Sequence, residues 1–190
     1  MTVHLAPDTR PADAAPAVLR FWFDEVGQER WFVKDPVLDA EIRKRFGALS
    51  DHLATSDLNG WSDTPETLLA AVILIDQFSR NIHRGSPKAF RGDAAARRLT
   101  MAAFERGWDR SMTDDQRQFL LMPLMHSEDI AAQRRSVDEF RRLGRGEQID
   151  FAHRHLDQIE RFGRFPGRNE ALGRRSTEAE QRALDDGAAF

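Results

Sequence analysis

Apolar residues recur along the chain at intervals of three and four, and almost nowhere at intervals of two. Val18, Leu19, Trp22, Phe23 and Val26 lie on one helical face ahead of Gly27. Leu38, Ile42, Phe46, Leu49 and Leu53 continue the spacing over 36–54 as an amphipathic helix. Thr64, Pro65 and Glu66 supply an N-cap, a first-position proline and an early acid for a third helix. That helix, L-L-A-A-V-I-L-I-D-Q-F, is apolar on every side, which predicts the centre of the fold.

Ser86 and Pro87 repeat the cap signal for a helix running to Arg106, stopped by Gly107. Thr113 and Gln116 form a capping box for a helix ending near His126. Ser127, as N-cap, with Glu128 and Asp129 opens a helix to Leu143 and Gly144. Asp150 to Phe162, ended by Gly163, is another, and Thr177 with Glu180 boxes a last one ending near Gly187. The expectation is an all-α single domain over 16–190, about eight helices packed as antiparallel hairpins, behind a flexible Pro/Ala/Asp-rich tail over 1–15. No sequence repeat is present, although a helical array can keep its packing after its repeat signature is lost.

Composition removes several classes of function. A net charge of −3 argues against nucleic acid as a partner. The absence of cysteine excludes disulfides, thiolate zinc sites and a cysteine nucleophile. The longest apolar run, Leu68 to Ile75, is too short to span a bilayer, and the N-terminal segment does not resemble a signal peptide, so a cytoplasmic location is expected. No segment matches a known catalytic motif: H-E-x-x-H, the phosphate loop and the nucleophile elbow are all missing.

Three segments depart from helix grammar. In I-D-Q-F-S-R-N-I-H-R-G, Asp76 and Arg80 are four apart with the acid first, the favourable order for a pair, and Asn81 and Arg84 follow. In M-P-L-M-H-S-E-D, Pro123 interrupts a helical pattern and His126 faces inward. In the 150–162 helix His155 lies on the apolar face with Phe151, Ile159 and Phe162. It leads into R-F-G-R-F-P-G-R-N, where Gly163, Gly167, Gly173 and Pro166 would hold Arg164, Arg168 and Asn169 rigidly. Preordered guanidinium groups suit carboxylate or phosphate recognition.

D-Q-F-S-R-N (76–81), H-S-E (126–128), R-F-G-R-F-P-G-R-N (161–169), L-G-R (172–174) and S-T-E-A-E (176–180), with F-W-F near 22 and R-W-F near 31, resemble a widespread bacterial family of uncharacterised function. The resemblance runs from about residue 17 to the C-terminus and implies a tetratricopeptide-repeat-like helical fold, but no reaction. The family commonly carries His where this chain has Gly167.

The favoured expectation is a binding module in which Arg80, Asn81, Arg84, Arg164, Arg168 and Asn169 hold a small anionic molecule or an acidic peptide. On that view Arg164→Ala or Arg168→Ala removes anion binding with little loss of stability. The alternative is a hydrolase or transferase on an anionic substrate, with His126 or His155 as general acid or base and Asp76 as a further candidate. A structural or regulatory assembly would use Trp22, Trp31 and Trp61 as contacts if they are exposed, although the helical spacing of Trp22 points to the core. No metal or other cofactor is expected: His126, Glu128, His155 and Asp76 could form a nitrogen and oxygen ligand set, but His126 and Glu128 would not share a helix face. The oligomeric state is open.

Overall fold

The computed structural model describes residues 4–187, which form one all-α domain with no strand among them. The eight helices among the described residues are numbered in chain order. Helix α1 runs over Pro11–Arg20 and winds on as π turns over Phe21–Val26. Helix α2 is Pro36–Leu53. Helix α3 is continuous through Pro65–Val72, a π segment Ile73–Phe78 and Ser79–Ile82. Then come α4 (Asp93–Glu105), α5 (Asp114–Met125), α6 (Ile130–Leu143), α7 (Gly146–Phe162) and α8 (Glu178–Asp185).

Helix α3 is the hub because no face of it could tolerate water. Every residue from Thr67 to Ser79 is buried, and α1, α2, α4 and α5 pack around it. The pairs α4–α5, α5–α6 and α6–α7 carry the packing onward along the chain. At the α2 end an aromatic cluster fills the core: Phe21, Phe46 and Phe78 meet ring to ring, and Trp22, Trp31 and Phe119 continue it. Trp22, Trp31 and Trp61 are all buried, so they are core residues and not exposed contacts.

Several local signals read differently in three dimensions. The first helix begins at Pro11, and Leu5 is buried with its backbone N–H on the Arg45 carbonyl at 2.8 Å, so residues 5–15 are docked on the domain. The first three residues of the expected tail lie outside the described residues. The helix expected from Pro87 is split: Pro87–Phe90 is a 3-10 turn, and α4 starts only at Asp93. Gly92 separates them because a Cβ there would stand 2.7 Å from the Ile75 carbonyl oxygen and 2.8 Å from the Ile75 Cβ, so only glycine lets α4 lie this close to α3. Asp129, not Ser127, caps α6, accepting from the Ala132 N–H at 2.8 Å, which frees Glu128 for another task.

Candidate functional site

Where α3 leaves its π segment, Asp76 faces inward with no exposed surface. A lone carboxylate there would be untenable, and four contacts keep it ionised. Arg80 approaches at 3.0 Å, the Gln77 amide donates at 2.6 Å, and His126 Nδ1 lies 2.9 and 3.0 Å from the two carboxylate oxygens. Desolvation works to raise the Asp76 pKa, but Arg80, His126 and Gln77 outweigh it and hold the carboxyl well below the usual range.

His126 occupies the C-cap of α5, directly after Met125 and three residues past Pro123. With Nδ1 committed to Asp76, the ring has Nε2 left, and among the described residues Nε2 has no partner. Burial and then Arg80 lower the His126 pKa against the opposing pull of Asp76, so the ring is neutral at pH 7 and Nδ1 carries its proton. Charge counting agrees. Arg80 and Arg168 are already matched by Asp76 and Asp93, and a third buried cation would be uncompensated.

Asp93, the first residue of α4, joins two arginines. It accepts from Arg80 Nη1 and Nη2 at 3.0 Å each and from Arg168 Nη1 at 3.0 Å. Arg168 reaches in from the 3-10 turn Pro166–Arg168 and also donates to the His126 carbonyl at 2.8 Å. Its guanidinium lies over the Phe90 and Phe165 rings at 4.7 and 4.5 Å. Burial and the neighbouring Arg80 push its pKa down to about 10, which leaves it charged at neutral pH.

These side chains border a cavity of about 440 Å³ lined by Arg80, Arg84, Phe90, His126, His155 and Arg168, with Lys34, Gly85 and Ala89 completing the wall. The His126 and His155 ring centres are 6.2 Å apart. His155 Nδ1 donates to the Phe151 carbonyl at 2.8 Å, which makes it a hydrogen-bonded member of α7 at the cavity wall. Arg84 sits at the rim and is paired with Asp39 at 2.6 Å, while Lys34 is exposed and, among the described residues, has no acidic partner.

The other expected anion ligands stand elsewhere. Asn81 donates to Asp39 at 2.8 Å and so supports the Arg84 pair from behind. Arg164 forms a two-pronged pair with Glu180 at 2.6 and 2.9 Å, binding the last loop to α8. Asn169 donates to Ser176 inside the same loop. Glu128 does not turn toward His126 but accepts from both Arg174 nitrogens at 2.8 and 2.9 Å and from the Phe165 N–H at 2.8 Å. Of the four residues weighed as a metal ligand set, Glu128 therefore stands apart from Asp76, His126 and His155, and among the described residues no group of three His, Cys, Asp or Glu could hold a metal ion. Gly163 and Gly173 adopt the left-handed backbone expected of them, whereas Gly167 lies in the 3-10 turn.

Sequence reasoning missed Asp93, Phe90 and Lys34. Asp93 falls inside the helix expected from Pro87, and its role depends on Arg168, 75 positions away. Lys34 offered a weak signal as one of only three lysines. A second groove of about 590 Å³, lined by Arg97, Arg98, Met101, Leu124, Ala132 and Arg135 among others, is larger. It lacks a histidine and a buried carboxylate, so convergent polar chemistry, not volume, singles out the first. No helix among the described residues is long and apolar enough to cross a membrane.

A family model described as a bacterial protein of unknown function, DUF924, matches residues 18–188. A protein of unknown function from Agrobacterium tumefaciens has a similar solved structure, with a TM-score of 0.87 and 38% identity over 93% of this chain and 99% of that one. No curated protein matches the chain significantly.

Proposed function

The chain belongs to the bacterial DUF924 family, and from that premise we propose that its cavity is a binding site for a small anion. One observation carries the reading: Lys34, Arg80, Arg84 and Arg168 border a single cavity, whereas the carboxylates paired with them are Asp76, Asp93 and Asp39. Four cations against three carboxylates, with both histidines neutral, leave a positive balance at the wall. Arg168 adds to this by capacity, because Asp93 and the His126 carbonyl take only two of the N–H donors of its guanidinium. A volume of about 440 Å³ fits a small molecule better than a peptide segment, which narrows the expected partner to a metabolite or inorganic anion. The buried arginines are fixed by their own pairs, so little ordering entropy is lost when a ligand arrives.

Acid–base chemistry on the same anion is a second reading, favoured by the contact between Asp76 and His126 at 2.9 Å. It selects His126 over His155, whose Nδ1 is held by a backbone carbonyl at 2.8 Å.

A thermal-shift screen against inorganic phosphate and small carboxylates tests the binding reading. An anion at 100 times its dissociation constant should add about 2.7 kcal/mol to the stability of the wild type. Lys34→Ala and Arg84→Gln, both at the accessible rim, should weaken that response. If no anion stabilises the wild type, or if both variants respond as it does, the cavity is not an anion site.

A further inference from the structure

The wall of the cavity is not uniformly cationic. Beside Arg80, Arg168 and Lys34 stands a hydrogen-bond acceptor, His126 Nε2, and its character is set by what holds the other side of the ring. Asp76 faces Nδ1 at 2.9 and 3.0 Å, and a carboxylate can only accept, so Nδ1 must be the protonated nitrogen. Asp76 is itself fixed by Arg80 and Gln77 and fully buried, which prevents the pair from swinging apart. The charged groups around the ring are Asp76 and Arg80 from α3, Asp93 from α4 and Arg168 from the last loop, with the neutral His155 from α7. Two guanidinium groups against two carboxylates are already balanced, so the imidazole gains nothing from a second proton.

A simple oxyanion such as sulfate or acetate would satisfy the arginines and yet leave Nε2 facing acceptor oxygens only. An unpartnered acceptor beside a desolvated ligand is costly, and an anion with a hydroxyl removes the cost. We propose that the cavity selects oxyanions that carry their own O–H donor next to the charge, and that His126 Nε2 accepts from that hydroxyl. Hydroxycarboxylates and partly protonated phosphates share this chemistry. The inference rests on the anion-binding reading and adds to it the class of ligand and the residue that discriminates. It also states what binding does to the hydroxyl: the O–H is aligned on a neutral base whose Nδ1–H is braced by a buried carboxylate.

Matched pairs of ligands test it in the intact protein at about pH 6, where inorganic phosphate is mainly H2PO4−. Lactate is compared with isobutyrate, which replaces the hydroxyl by a methyl group, and phosphate with sulfate. The donor-bearing member of each pair should bind about tenfold more tightly by calorimetry. The preference should vanish in a folded His126→Leu protein, while residual binding of the non-donor anions persists. Equal affinities within both pairs would leave the anion site standing and overturn the selection by His126. A preference that survives in His126→Leu overturns it as well. If none of the four anions binds, the anion reading itself has failed and this inference falls with it. Should the leucine variant not fold, nitrogen-15 spectra of the wild-type histidines decide: His126 is expected as the Nδ1–H tautomer with an Nε2 signal that moves on adding phosphate, and an unmoved Nε2 or the opposite tautomer overturns the proposal.

Discussion

His155 shows how burial turns one residue into an acid sensor of stability. Desolvation, with smaller contributions from His126, Arg168 and Arg80, pushes its pKa down to about 3. The unfolded chain takes up a proton on this ring below about pH 6.5, whereas the folded protein does not until about pH 3, so acid favours unfolding. The contribution is complete above about pH 6.5 and fades as pH falls, with a slope of about 1.4 kcal/mol per pH unit for each such proton. Urea melts between those limits should show a shallower slope for His155→Phe than for wild type, by about one proton; equal slopes would mean a charged ring in the folded state. Arg168 carries a different liability. Removing it strips Asp93 of a partner and leaves the His126 carbonyl unpaired in a site where only 8% of the arginine is exposed. Arg168→Ala should therefore cost about 3–5 kcal/mol by urea melt, while Lys34→Ala, exposed and without an acidic partner among the described residues, should stay within about 0.5 kcal/mol. This differs from the expectation, drawn from the loop's local composition and its neighbouring helices, that Arg168 could be removed at little cost. A guanidinium can line a cavity and brace its wall at once, and local sequence conveys only its charge.

At the scale of elements, what was legible in the sequence was what is decided within a few residues. The boxes at Thr113 with Gln116 and at Thr177 with Glu180 stand as read, and Thr64 caps α3. The Asp76–Arg80 pair follows from helical spacing in the same way. The features that aim the site depend on neighbours distant in sequence. The π segment Ile73–Phe78 carries no composition signal, and its Leu74 carbonyl receives the hydroxyls of Ser79 and of Ser50 from α2. The glycine at the break before α4 has its reason in Ile75, seventeen positions away. Gly92→Ala tests that account directly. Its methyl group would overlap the Ile75 carbonyl, so α4 must move off α3, and an overpacking cost of about 1–3 kcal/mol is expected by denaturant melt. A neutral outcome would show that the two helices can separate freely, and would remove the reason for the split between Phe90 and Asp93.

Across the whole molecule, the chain after Gly163 is tied to the helical body largely by charge. Glu128 grips Arg174 and the Phe165 N–H, Arg164 holds Glu180, and Arg168 holds Asp93, with buried Phe165 as an apolar anchor. Breaking the first grip should loosen this segment without melting the core. In Glu128→Gln, amide exchange over 163–185 should quicken about tenfold or more while α3 keeps its protection. Uniform loosening would mean that the segment and the core open as one unit. The order of the chain gives this seam a further meaning during synthesis. Residues 4–162 contain α3 and the helices packed around it, so a nascent chain can gather most of its core before Arg168 has left the ribosome. Until then Asp93 has Arg80 but not Arg168, and the cavity wall lacks one of its cations. The cavity is thus completed late in synthesis, and a chain cut short before Arg168 can gather most of its core and still lack part of the cavity wall.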